Sequence, residues 1–91
     1  MSQLATIGRI VHYKLSDTDV AIIRDRRIST RTSGNSVAAG DVFPAIVIRR
    51  WGDTLESSIQ LQVFLDGNDT FWATSVSEGD GERQWSWPPR V

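Results

Sequence analysis

The amino-acid sequence predicts a mostly β protein: a small, strongly bent antiparallel sheet or an SH3-like or OB-like barrel of about five strands, with one short helix between strands 1 and 2. Residues 59–65 alternate apolar and polar side chains, the pattern of a strand with one buried face. The acidic, glycine-bearing residues 66–69 predict a turn, and β-branched and aromatic side chains return in residues 70–76. Two strands joined by a tight turn favour an antiparallel hairpin.

The first third of the chain predicts one strand followed by one helix. Residues 6–15 alternate as a strand. Ser16 is a predicted N-cap, because serine is a preferred residue at that position. The acids that follow it support a helix start here, since they would meet the positive end of the helix dipole. We expect the helix to run to about Arg27 and to lie across the mouth of the barrel.

The remaining segments predict a loop, a central strand and an extended tail. Residues 29–41 are rich in Ser, Thr, Gly and Asn and lack periodicity, which is typical of a loop. Residues 42–51 are apolar on both faces until Arg49, which favours a central strand. Trp85 and Trp87 share one side of an extended segment, and we expect Trp85 to pack on the domain fully and Trp87 partly.

Alternation also predicts which side chains form the core. One face of each strand should be buried in either the sheet or the barrel. The predicted core residues are Ile7, Val11, Tyr13, Val42, Ile46, Ile48, Ile59, Leu61, Val63, Leu65, Phe71, Ala73 and Trp85.

Composition narrows the class of protein. The 91 residues are expected to form a single domain, residues 1–91. The absence of cysteine excludes disulfides, thiolate nucleophiles and cysteine-based zinc sites. No apolar run approaches the roughly 18 residues that span a bilayer, and the start MSQLATIGRI lacks the features of a signal peptide. We therefore expect no membrane contact.

Charge is unevenly distributed, although the formal net charge is only −1. Residues 24–50 carry six arginines and two aspartates, a balance of +4, whereas residues 51–83 carry seven acids and one arginine, a balance of −6. Nine of the ten basic residues are arginines, whose forked guanidinium suits phosphate or carboxylate recognition. General duplex nucleic-acid binding is not expected, because it requires a strong basic excess.

The sequence offers no complete set of catalytic or metal-binding residues. His12 is the single histidine and, without cysteine, cannot supply the usual transition-metal ligands. The stretch DGND at residues 66–69 lacks the spacing and terminal glutamate of an EF-hand loop. We therefore expect neither an enzyme nor a bound metal or cofactor.

Four tryptophans in so short a chain exceed what a small core holds, which favours a binding surface. Two aromatic side chains alternate onto the polar face of neighbouring strands, and a third follows two arginines at a strand end. Aromatic rings beside guanidinium groups suit base stacking and phosphate capture. The candidate ligand-binding residues are Arg49, Arg50, Trp51, Phe64, Trp72 and His12, and the basic residues 24–31 are the next candidate.

Two alternatives remain open at this point. The aromatic face is a second core if the barrel closes over it or pairs with a copy of itself. The arginines at the strand end have no binding role if they form surface ion pairs with Asp53, Glu56 or other acids. Such an exposed ion pair contributes only about 0–1 kcal/mol to stability. The alternative for His12 is that it is a structural residue whose ring nitrogens form hydrogen bonds and bind no ligand.

Four sequence motifs resemble those of a family of small proteins encoded by tailed phages, especially phages of actinobacteria. They are GRIVHYKLS near the start, AGDVFPAIVIRRWGD in the middle, and LQVFLDGNDTFWATSV with WSWPPRV near the end. The resemblance implies a phage accessory or structural protein in the cytoplasm of the host bacterium, and it assigns no chemistry to individual residues.

The sequence therefore predicts a non-enzymatic binding protein. The first candidate ligand is a small phosphorylated molecule, such as a nucleotide-type immune signal of the host that a phage protein would sequester. The alternatives are a protein-interaction module or minor virion component, and a single-stranded nucleic-acid binder. We also expect a homo-oligomer, because a short chain gains stability by pairing.

Overall fold

The computed structural model describes residues 3–89, which form five β-strands and one α-helix. The elements in chain order are β1 (Ile10–Lys14), α1 (Asp17–Thr30), β2 (Val42–Arg50), β3 (Ile59–Phe64), β4 (Thr70–Glu78) and β5 (Gln84–Ser86). The helix lies between the first two strands, as predicted. The last two residues of the tail motif WSWPPRV lie outside the described residues.

The strands close into a barrel in the order β1-β2-β3-β4-β5, and β5 pairs back with β1. Neighbouring strands are antiparallel, except that β4 and β5 are parallel. The predicted mostly β class is confirmed, and the barrel is formed rather than the open sheet. Closure removes the free edges that an open sheet would expose.

Two rows of paired residues cross the strands and fill the barrel. Each row consists of residues that lie opposite one another on neighbouring strands and whose side chains are buried. The rows are Val11, Ala45, Val63 and Phe71, and next to them Val47, Leu61 and Ala73.

The predicted core was wrong for β2. Val42 and Ile48 are exposed and Ile46 is half-buried, whereas Ala45 and Val47 point inward. Because β2 is apolar on both faces, alternation alone does not show which face is buried. The register with β1 and β3 decides it.

Helix α1 begins at the predicted N-cap and continues beyond the predicted end. The Ser16 hydroxyl accepts the Asp19 N–H over 3.2 Å, and the Asp19 carboxylate accepts the Ser16 N–H over 3.0 Å, which together form a capping box. The helix ends at Thr30 rather than near Arg27, and Arg31 caps it with a left-handed φ of 54°. Within the described residues, no helix is long and apolar enough to span a membrane.

The carboxylate of Asp19 is fully buried and accepts hydrogen bonds from three parts of the chain. Besides the Ser16 N–H, it accepts the Tyr13 hydroxyl over 2.6 Å and Nη1 of Arg83 over 3.3 Å. Burial and the hydrogen bond to Asp19 raise the pKa of Tyr13 well above its usual value. This cluster ties α1 to β1 and to the turn that precedes β5.

The tail tryptophans pack as predicted. Trp85 is buried in the core, and Trp87 is half-buried against it. Their rings meet edge to face with centroids 5.5 Å apart, and the Arg9 guanidinium lies 5.7 Å from the Trp87 ring centroid. The tail is therefore part of the folded domain.

We expect Asp19→Ala to lower the free energy of unfolding by about 3–5 kcal/mol, because it leaves the buried Tyr13 hydroxyl and the helix cap without their acceptor. Asp17→Ala removes an exposed acid of the same helical turn and should cost less than about 1 kcal/mol. Urea unfolding followed by far-ultraviolet circular dichroism measures both changes. Equal losses would show that Asp19 acts only on the helix dipole.

Candidate functional site

The candidate site lies where β2 ends in a β-bulge. Val47 lies opposite Leu61 of β3, whereas Arg49 lies opposite Gln60, so Ile48 is one extra residue on β2. A bulge redirects the side chains that follow it. This irregularity positions the arginines that follow along the chain.

Arg49, Arg50 and Trp51, here called the arginine–tryptophan cluster, occupy this strand end. The guanidinium carbon of Arg49 lies 4.9 Å from the centroid of the Trp51 ring, a cation–π distance. Nε1 of Trp51 donates to Oε1 of Gln60 over 3.0 Å. The indole is therefore held in place, although the residue is 54% exposed.

Gln60 is a buried residue that connects the irregular parts of two strands. Its Oε1 also accepts the backbone N–H of Ser75 over 2.6 Å. Ser75 has a left-handed φ of 51° and lies where the register between β3 and β4 shifts, so its N–H needs a partner other than the ladder. The side chain of Gln60 thus accepts the N–H that the β4 bulge leaves outside the sheet and also orients Trp51.

A groove of about 650 Å³ opens beside the cluster, within the range of small-molecule sites. Ile7, predicted for the core, is instead exposed in this groove, because β1 begins only at Ile10 and strand alternation does not extend to it. The lining residues are Thr6, Ile7, Ile48, Arg49, Arg50 and Asp53.

The two arginines of the groove differ in their partners. Nη1 of Arg50 lies 3.9 Å from Oδ1 of Asp53, whose side chain is fully exposed, so this ion pair is weak. Arg49 forms no ion pair with any acid in residues 3–89. The groove therefore holds two guanidinium groups against one solvated carboxylate.

Phe64 and Trp72 lie on the outer surface of the barrel. Phe64 is opposite Thr70 and Trp72 is opposite Gln62, so the two aromatic residues are diagonal neighbours on β3 and β4. They are 44% and 58% exposed, and neither ring stacks on another ring in the part of the chain that the structure describes. They therefore lie on the outer surface of β3 and β4, whereas Arg49 and Arg50 lie at the end of β2.

His12 lies apart from the other candidate residues. It is opposite Pro44, five residues before Arg49 and thus roughly 16 Å away along β2. It lines a separate cleft of about 160 Å³ together with Lys14 and Asp80. Nowhere between residues 3 and 89 do three His, Asp or Glu side chains form a group that could hold a metal ion.

The arginines near the end of α1, the next candidate segment, make structural contacts. Arg27 donates to both carboxylate oxygens of Asp69, over 2.9 and 3.1 Å, and to the Asn35 carbonyl over 2.7 Å. Arg26 donates to the Thr70 carbonyl. The hydrogen bonds from Arg27 hold the pKa of Asp69 below its usual range. These bonds fasten α1 to the turn between β3 and β4.

We expect Asp69→Asn to destabilise the protein near neutral pH and to lose this effect in acid. Because the folded-state pKa of Asp69 is lowered, its ionised form contributes stability above the unfolded-state pKa of about 4. That contribution disappears as the pH falls through the folded-state pKa. The free energies of unfolding of the two proteins should differ by about 1–3 kcal/mol near neutral pH and converge as the pH falls below the folded-state pKa of Asp69.

Asp80→Asn, a change in the exposed turn before β5, is the matched control for this measurement. It should leave the free energy of unfolding within about 0.5 kcal/mol of the wild-type value over the same pH range. A constant difference between wild type and Asp69→Asn at every pH would contradict the role of the ion pair.

No match was found among family models, curated proteins or solved structures. The function is therefore inferred from the geometry of the described residues.

Arg49, Arg50 and Trp51 are predicted from the sequence and the fold brings them together, whereas Gln60 and Thr6 were not predicted. Alternation places Gln60 on the polar face of its strand, where solvent exposure is the ordinary expectation. Its burial depends on the bulges of two neighbouring strands, and no local sequence signal marks it. The position of Thr6 likewise depends on how the segment before β1 packs beside β2.

Proposed function

We propose that this protein is a non-enzymatic binding protein that captures a small phosphorylated ligand in the groove beside the arginine–tryptophan cluster. The guanidinium of Arg49 carries the proposal: it is exposed, stacks on Trp51, and has no acidic partner within residues 3–89. A guanidinium that an indole already orients loses little freedom on binding, and its forked N–H groups match phosphate oxygens.

The charges in the groove favour an anion with several acceptor atoms. Arg49 and Arg50 are adjacent, and the contact of the mostly buried Arg50 side chain with Asp53 is long, with the Asp53 carboxylate fully exposed. A phosphate group offers oxygen acceptors to both arginines and replaces this weak ion pair with charge-assisted hydrogen bonds. The hydroxyl of Thr6, which also lines the groove, is a further donor.

Trp51 favours a nucleotide over inorganic phosphate. Its indole is anchored by Gln60 and remains half-exposed, so a nucleobase beside the phosphate can stack on it. The titratable groups among the groove residues are Arg49, Arg50 and Asp53. Two permanently charged arginines and one solvated carboxylate do not form an acid–base pair, which supports capture rather than turnover.

We place this activity in the cytoplasm of a bacterium infected by a tailed phage, where the protein would sequester a nucleotide-type immune signal of the host. The support for this setting is the resemblance of the four sequence motifs, combined with a groove suited to binding without catalysis.

A thermal-shift screen followed by calorimetric titration tests the proposal, with adenosine monophosphate, a cyclic dinucleotide and inorganic phosphate as probes. At least one nucleotide should raise the melting temperature, because a ligand that binds only the folded state stabilises it. Inorganic phosphate should bind more weakly, because it lacks a base. The proposal is wrong if no nucleotide changes the melting temperature at millimolar concentration.

Arg49→Ala should weaken the binding of such a nucleotide at least tenfold, which corresponds to a loss of about 1.4 kcal/mol. The melting temperature of the free protein should stay nearly unchanged, because Arg49 is exposed. Arg24→Ala, which removes the same charge at a different groove, is the matched control and should bind normally. Equal weakening by both variants would indicate a general charge effect and contradict the assigned site.

A further inference from the structure

Closure of the barrel limits how two copies of this chain can associate. Each strand already pairs with two others, since β5 joins both β1 and β4. Free backbone edges, a common route of association for small β proteins, remain only along the part of β4 that β5 does not pair, and there Arg26 and Arg83 already donate to the Thr70 and Thr74 carbonyls. The larger surface available for an interface consists of outward-facing side chains.

One outer surface, here called the β3 face, consists of side chains from three neighbouring strands. Its members alternate with the buried rows of β2, β3 and β4 and therefore point outward. They are Pro44, Ile46, Gln62, Phe64, Thr70 and Trp72. None of these side chains is ionisable, although 23% of all residues are charged. The β3 face is therefore uncharged.

The area of the β3 face matches that of a small protein interface. A half-exposed aromatic side chain presents roughly 100 Å², so the whole face presents on the order of 500 Å². Two such faces bury on the order of 1,000 Å² in total, the lower limit for a specific interface. A patch of this size is also as large as soluble monomers usually leave uncovered.

We propose that a second copy of this chain covers the β3 face, with the two-fold axis parallel to β3. This axis places β2 of each protomer over β4 of the other, so that Trp72 packs on Ile46 of the partner subunit. Gln62 then lies over its own copy, and because an amide is both donor and acceptor, the two copies can form hydrogen bonds with each other. A charged residue at the centre would instead repel its copy.

The uncharged character of the face favours a copy over a charged partner. A strongly acidic or basic surface would lose its hydration on this face without gaining an ion pair. The arginine–tryptophan cluster lies outside the β3 face, so the two proposed surfaces share no residue and the dimer proposal does not rest on the ligand proposal.

Light scattering tests the dimer at about 100 µM, above the dissociation constant that we expect for so small an interface. The chain has a mass of 10.2 kDa, and the measured mass should approach twice this value. Trp72→Glu should give a monomer, because it places a charge at the centre of an apolar contact. Circular dichroism of this variant should show a folded protein, because the side chain that it replaces is exposed.

Ile28→Glu is the matched control, since it introduces the same charge at an isoleucine that is 78% exposed on α1. This variant should remain a dimer. A wild-type monomer at the same concentration would overturn the proposal. A dimer that Ile28→Glu disrupts and Trp72→Glu preserves would also overturn it.

A cross-linking experiment locates the interface without disturbing the apolar contacts. The chain contains no cysteine, so Gln62→Cys introduces a single thiol at the proposed axis. Because facing sheets pack about 10 Å apart, a short bis-maleimide should join two Gln62→Cys chains efficiently. Ile28→Cys should react with the reagent but remain a single chain. Cross-linking of Ile28→Cys alone would place the interface on α1 and contradict the proposal.

Discussion

The buried carboxylate of Asp19 is the constraint on which much of this fold depends. An ionised carboxylate in the interior is stable only if hydrogen bonds replace its lost hydration. The Tyr13 hydroxyl, the Ser16 N–H and the Arg83 guanidinium provide these bonds from three separate segments. Their convergence fixes the start of α1 against β1. It also holds the turn before β5, the three-residue strand that closes the barrel.

Closure in turn decides where ligands and partners can bind. The interior of so small a barrel is filled by side chains, so binding groups must lie on its outer surface. The regular part of that surface is the uncharged β3 face. The irregular part is the strand end where Gln60 connects Trp51 with the bulge at Ser75. The bulges, where strand pairing is irregular, thus form the candidate site. The regularly paired parts of β2, β3 and β4 form the candidate interface.

Local sequence patterns were sufficient where a structure depends on near neighbours in the chain. Alternation in β3 identifies Leu61 and Val63 as core residues, because one face of that strand is polar. The helix start at Ser16 could be predicted because its capping partner lies three residues away. The same reasoning failed for β2, where Ile46 is half-buried and Val47 points inward, because both faces of that strand are apolar.

By itself, the sequence determined the mostly β class, the helix after the first strand and the surplus of aromatic side chains, since composition and short-range periodicity express these properties. Only the tertiary structure decided which arginines are available for binding. Arg27 and Arg49 lie in the same basic stretch, but Asp69, 42 positions away in sequence, engages Arg27, whereas no acid in residues 3–89 pairs with Arg49. The burial of Asp19 is decided in the same way, because Arg83 lies 64 positions from it. Partners so far apart meet only when the barrel closes.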